Sequence, residues 1–266
     1  MDLGLKDHVI VITGGASGIG AAISRACLAE GATVAAITRI SSGVEEFAAE
    51  MKAANLPFHL HLAELDRTAD CRQAILTIAR QHGRIDALIN NAAINDGVSL
   101  EHGDTDRFEA SLRLNLVHAY TLAHTALPWL KQARGTILNI ASKVAITGQG
   151  NTSGYAAAKG GLLALTREWA AELLPYGMRV NAVIPSEVMT PAYQTWLASH
   201  VNPDVTLSRI TAQIPLEHRM THPEEIAAMV TFLLSPTQSG HTTAQQLHVD
   251  GGYVHLDRML TANPLH

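Results

Sequence analysis

Two cysteines in 266 residues, Cys27 and Cys71, are too few for a disulfide framework. Both sit within helical patterns, where a buried free thiol is the ordinary outcome. Basic residues do not dominate: 19 Lys and Arg against 24 Asp and Glu give a net charge of −5 with histidine neutral. With no basic run or stripe, nucleic acid is not expected as a partner. No apolar run approaches the ~20 residues of a spanning helix, so no membrane partner is expected either. No signal-peptide pattern precedes the first strand, since MDLGLKDH leads almost directly into it, and a reducing, cytoplasmic setting is expected. The 14 histidines include no HExxH and no Cys/His cluster. His59 and His61 share a strand face in FHLHL and are not read as a metal site. What the chain has is apolar content: 47% hydrophobic against 16% charged is enough to bury a full core.

Those apolar residues fall into short β runs that alternate with longer helical patterns. VIVIT (9–13) is β-branched and uninterrupted, and further runs follow at 32–38, 58–62, 86–90, 135–142, 178–184 and 244–250. Helical patterns lie between them at about 18–30, 43–55, 67–82, 106–130, 153–174 and 223–235. The segment 190–217, with scattered prolines, reads as a substrate-covering loop or short helices. No linker or repeat divides the chain, so residues 1–266 are read as one domain. The order implies α/β architecture: a doubly wound Rossmann-type domain with a seven-stranded parallel sheet and helices on both faces. Ligands of such sheets bind beyond the carboxyl ends of the strands, at the crossover.

After the first strand comes TGGASGIG, Thr13 to Gly20. A glycine turn between strand and helix lets backbone N–H groups approach a pyrophosphate, which points to a dinucleotide. The spacing is G-x-x-x-G-x-G rather than the commoner G-x-G-x-x-G. In SGYAAAKG, Tyr155 and Lys159 stand at i and i+4 and share one helix face. A lone pair of this kind is usually an exposed one.

The motifs in order are TGGASGIG, NNAA at 90–93, Asn115 in the long helix, Ser142 after the fifth strand, YAAAK at 155–159, VNAVIPSEVMT and VDGG. Together they resemble the short-chain dehydrogenase/reductase family over essentially the whole chain. The resemblance implies a catalytic tetrad of Asn115, Ser142, Tyr155 and Lys159. Tyr155 would be the base. A free phenol has a pKa near 10, and lowering it by ~3 units takes roughly 4 kcal/mol, which Lys159 and a positive nicotinamide can share. Ser142 would hold the substrate oxygen. Asn115, a poor helix residue, would bend its helix and hold a relay water. The alanines between Tyr155 and Lys159 would leave room for a ribose.

The resemblance also implies cofactor contacts from Gly14, Ser17, Gly18, Ile19, Gly20, Glu64, Leu65, Asn91, Ala92, Tyr155, Lys159, Pro185, Val188 and Thr190. Two departures affect close backbone approach: Ala93 stands where the family has glycine, and Ser186 follows Pro185. Thr38 occupies the place of the acid that reads a ribose 2′-OH, and Arg39 follows it. A guanidinium can pair with a 2′-phosphate, so NADP is favoured. Ser17, where NADP-preferring relatives carry a second basic residue, keeps NAD open.

The loops near the expected pocket are polar, offering Asn95, Asp96, Lys143, Gln149, Asn151 and Glu187. A polyhydroxylated substrate needs such fixed donors and acceptors. INDG, ASKVAITGQGNTSGY, IPSEVMTP and VDGGYVHLDR resemble the bacterial L-fucose dehydrogenase branch of the family. That implies oxidation of the anomeric hydroxyl of L-fucose, L-galactose or D-arabinose to the lactone. The alternatives are a 2-keto-3-deoxy sugar acid dehydrogenase, with Lys143 on the carboxylate, a 3-oxoacyl reductase, or an inactive dinucleotide-binding sensor. The family is usually a homotetramer.

Overall fold

The structure, a computed structural model, describes residues 2–257. Arg258 of VDGGYVHLDR and the tail after it lie outside the described residues. Seven strands form one sheet: β1 (Val9–Thr13), β2 (Thr33–Thr38), β3 (Phe58–Leu62), β4 (Ala87–Asn90), β5 (Thr136–Ile140), β6 (Arg179–Pro185) and β7 (Gln246–Val249). All pairings are parallel, in the order β3-β2-β1-β4-β5-β6-β7. The direction of winding reverses between β1 and β4, so their carboxyl ends open the crevice where a ligand fits.

Alternation along β1 explains why helices cover both faces. Ile10 and Ile12 pack with Ile23 and Cys27 of α1 (Gly18–Ala29), Phe47 of α2 (Ser42–Ala53) and Val230 of α9 (Pro223–Leu234). Val9 and Val11 face the other way, toward Ile75 of α3 (Thr68–His82), Leu122 of α5 (His118–Ala133) and Trp169 of α6 (Ser153–Leu173). Cys27 and Cys71 are both free and buried, and burial pushes both thiols up. His59 packs edge-on to His82 at 4.7 Å. Among the described residues, no group of three His, Cys, Asp or Glu is placed to hold a metal ion.

The helix expected over 106–130 is interrupted. It is α4 (Thr105–Leu112), a π-helical turn over Arg113–Val117, and then α5. The 190–217 segment contains two short helices, α7 (Pro191–Ala198) and α8 (Pro203–Thr211). The last strand is shorter than the 244–250 expected, because Ala244 turns into the left-handed region at φ 60°.

Candidate active site

The glycine turn sits at the carboxyl end of β1. Gly18, at the start of α1, has φ +51°, a conformation L side chains rarely hold. A Cβ on Gly20 would stand 2.1 Å from the Gly14 carbonyl oxygen and 2.7 Å from Asn91 Nδ2. The turn therefore closes only with glycine there. Ser17 precedes α1 in extended conformation and makes no side-chain cap, which leaves the first-turn N–H groups of the helix facing the crevice. These features fit a dinucleotide phosphate.

Asn91 has a supporting place. Its Nδ2 donates to the Thr13 carbonyl at 2.8 Å, and the backbone N–H groups of Asn91 and Ala92 both donate to Thr13 Oγ1 at 2.9 Å. These bonds lock the end of β4 onto the end of β1. Across the crevice, Thr190 caps α7 by accepting from the Tyr193 N–H at 3.2 Å. Its Cγ2 lies 3.4 Å from where a Gly18 Cβ would be, so the start of α7 lies over the start of α1. Pro185 ends β6, and Val188, buried, bridges to Thr221. At the far end, Thr38 closes β2, while Arg39 is exposed with no carboxylate partner among the described residues. Glu64 is exposed, and the Leu65 carbonyl accepts from Cys71 Sγ at 3.4 Å.

The four residues of the expected tetrad converge from three elements. Tyr155 and Lys159 share one face of α6, and Ser142, just past β5, hydrogen-bonds the Tyr155 hydroxyl. Lys159 is 1% exposed. Its Nζ donates to the Ile140 carbonyl at 2.5 Å and lies 5.6 Å from the Tyr155 ring centroid. Asn115 is fully buried in the π turn, where Nδ2 donates to the Ser111 carbonyl at 3.0 Å and Oδ1 accepts from the Ile94 N–H at 2.8 Å. The side-chain amide thus competes for the carbonyl an α-helical ladder would use, a physical reason for the π turn at this place.

Among the protein's own groups, the phenol is set by burial and by Ser142. Burial holds Tyr155 above its ordinary value, and Ser142 pulls it back. Burial also lowers Lys159 to about 7, so that at neutral pH it carries only part of a charge. His118, also buried, lies near enough to Lys159 to be lowered to about 4, by burial first and by that lysine second. It is neutral at physiological pH. Nothing in the sequence pattern marked it.

Two supports were also invisible in sequence. Asn90 Nδ2 donates to Asn139 Oδ1 at 2.9 Å, and Asn139 Nδ2 donates to Thr166 Oγ1 at 2.9 Å, fastening α6 to β4 and β5 below the site. Gly154 lets α6 approach α4: a Cβ there would stand 2.5 Å from Ser111 Oγ. Ser111 in turn holds Asn115. Gly154→Val is therefore expected to push Asn115 away from Tyr155 and to cost about 2–3 kcal/mol by overpacking. Thermal melts and turnover measured together check this; a wild-type melt with full turnover would refute it. Of the alanines, Ala157 is exposed and Ala158 fully buried, so Ala157 makes no room within the fold.

Among the residues considered for substrate, the structure brings Lys143 and Glu187 together as an ion pair. Asp96 keeps one buried carboxylate oxygen, Oδ1, without a hydrogen-bond partner. Asn95, Gln149 and Asn151 are exposed.

A family profile described as enoyl-(acyl carrier protein) reductase matches residues 14–254. An L-fucose dehydrogenase of Bos taurus is 35% identical over 246 residues, covering 92% of this chain and 88% of that protein. The 3-oxoacyl-(acyl-carrier-protein) reductase FabG of Thermotoga maritima is 32% identical over 254 residues, covering 94% and 99%. The crystal structure of the Cj0485 dehydrogenase superposes with a TM-score of 0.91 at 42% identity, covering 97% of this chain and 98% of that one. A doubly wound sheet with a glycine turn at its switch point, and Ser142, Tyr155 and a buried Lys159 beside it, defines an oxidoreductase of CH–OH groups that uses a nicotinamide dinucleotide. The chain belongs to the short-chain dehydrogenase/reductase family.

Proposed function

We propose that this enzyme is an aldose 1-dehydrogenase, oxidising the anomeric hydroxyl of L-fucose and of sugars sharing its ring stereochemistry to the lactone. Tyr155 takes the hydroxyl proton, Ser142 holds the oxygen that becomes the carbonyl, Lys159 passes the proton onward, and Asn115 holds a water of that relay. A bound nicotinamide supplies the hydride acceptor. The turn from Gly14 to Gly20 holds its phosphates, with Glu64 and Leu65 near the adenine and Val188 and Thr190 near the nicotinamide.

The observation that carries the reading is the Lys143–Glu187 pair next to Ser142. A fatty-acyl chain requires an apolar wall, and a buried ion pair there would oppose it. A sugar acid would need Lys143 for its carboxylate, and that ammonium is already neutralised by Glu187. The likeness to an L-fucose dehydrogenase over most of the chain supports the same substrate. The test is reduction of NADP or NAD with a panel of aldoses, sugar acids and an acetoacetyl thioester run in the reductive direction. Turnover of L-fucose, L-galactose and D-arabinose above the rest is expected; none with any galacto-configured aldose overturns the reading.

NADP is the proposed preferred acceptor, because Arg39, at the end of β2, is exposed and has no carboxylate partner among the described residues. Arg39→Ala is expected to raise KM for NADP about tenfold while leaving KM for NAD within about twofold. Unchanged KM for NADP in that variant would remove the argument. A homotetramer in the cytoplasm completes the proposal. On α5, Tyr120 is exposed and stacks on His124, offering a surface for assembly that sedimentation can examine.

A further inference from the structure

Beside the tetrad lies a polar circuit that neither proton transfer nor dinucleotide binding uses. Lys143 follows Ser142 in the chain and is 7% exposed. Its ammonium pairs with Glu187 Oε1 and stands 4.0 Å from the centroid of the Tyr253 ring. The other carboxylate oxygen, Glu187 Oε2, accepts from the Tyr193 hydroxyl at 2.8 Å. The Tyr193 ring is itself fixed, packed edge-on to Trp196 at 5.1 Å, with Trp196 packed on His200 at 4.4 Å along α7. Four separate parts of the chain therefore meet at one place: the turn after β5, the turn after β6, the covering helix α7 and the segment after β7.

The circuit has no net charge. Burial and the neighbouring Glu187 carboxylate push the Tyr193 phenol up, so it stays a donor. An ammonium has three N–H groups, and here one goes to Glu187 while one side lies on an aromatic face. Each carboxylate oxygen has more than one lone pair; Oε1 accepts from Lys143 and Oε2 from Tyr193. Spare donor capacity and spare acceptor capacity thus sit side by side. Adjacent hydroxyls match that arrangement, one accepting from Lys143 and one donating to Glu187. A carboxylate does not match it, because it only accepts and would meet the charge of Glu187.

The geometry points to Lys143, Glu187, Tyr193 and Tyr253 as a clamp for an uncharged vicinal diol, one that turns away carboxylated substrates and that Tyr193 ties to the covering helix. This rests on the proposed reaction only for the identity of the sugar; the charge selectivity holds for any neutral diol.

The test is steady-state kinetics of the full chain on neutral aldoses, neutral acyclic vicinal diols and sugar acids, with Glu187→Gln and Tyr193→Phe beside the wild type. The wild type is expected to favour neutral substrates over matched acids by about 100-fold in kcat/KM. In Glu187→Gln, KM for neutral substrates rises about tenfold, kcat changes less, and the discrimination against acids collapses, because Lys143 is released. Tyr193→Phe raises KM about threefold and keeps the discrimination. A wild type that prefers acids, or a Glu187→Gln enzyme with kcat lowered equally for every substrate and KM unchanged, overturns the clamp. Turnover of acyclic diols without aldoses sinks the sugar reading and leaves the clamp standing. Turnover of no neutral vicinal diol overturns both. If thermal melts show that Glu187→Gln does not fold, Tyr193→Phe decides, and an unchanged KM there overturns the clamp.

Discussion

Tyr155→Phe is expected to lower kcat by about 10³-fold or more while leaving dinucleotide affinity within about twofold. The ring keeps its packing on α6, so the loss falls on the proton and not on the fold. The missing hydroxyl costs about 1 kcal/mol through its bond with Ser142. The same bond sets the pH dependence. Burial raises the phenol, and Ser142 lowers it by favouring the phenolate. Alcohol oxidation needs the phenolate, so the rate rises with pH on the acid limb. Ser142→Ala removes the stabilisation of the phenolate and is expected to move that limb to higher pH. Stopped-flow or steady-state rates across the pH range measure it. A Tyr155→Phe enzyme retaining a tenth of wild-type kcat would end the assignment of Tyr155 as the base.

The frame of this site was legible because each part is local. VIVIT is a strand buried on both faces, and its alternation divides it between two helical layers. TGGASGIG needs glycine for reasons of backbone conformation and close approach that a sequence exposes directly. YAAAK puts a phenol and an amine on one helical face by period alone.

What stayed hidden depends on partners distant in the chain. The π turn at Asn115 rests on the Ile94 N–H as well as on Ser111, and no helical period encodes that pairing. Lys143 and Glu187 are each readable as substrate residues, but 44 positions separate them, and only the fold shows that each is the other's partner. Thr166 reads as an unremarked helix threonine until Asn139 is placed beneath it. The share of burial in the Tyr155 phenol was equally hidden, because burial belongs to the whole packing around α6 and no local pattern encodes it.

Lys159→Met is expected to abolish turnover and to make the protein more stable at pH 6. Lys159 is 1% exposed, and its ammonium donates to the Ile140 carbonyl at 2.5 Å. Burial brings it from 10.5 to about 7. That lowering corresponds to about 5 kcal/mol of penalty on the charged form. Below pH 7 both the folded and the unfolded chain hold the proton, so the folded state bears the whole penalty. Between about 7 and 10.5 the unfolded chain keeps a proton that the folded chain has released, so wild-type stability climbs with pH. Methionine fills the volume with no charge to desolvate, although the Ile140 carbonyl loses a donor at about 1–3 kcal/mol. The net gain at pH 6 is then about 2–4 kcal/mol, seen as a melting temperature about 5 °C or more higher. The advantage should shrink steadily as the pH is raised toward 10. Lys159→Arg, which cannot shed its proton, should melt below the wild type throughout. Melting curves of the three proteins from pH 6 to 9 decide the matter, and a Lys159→Met protein that melts lower than the wild type at pH 6 would mean that the buried amine stabilises the fold it was expected to strain.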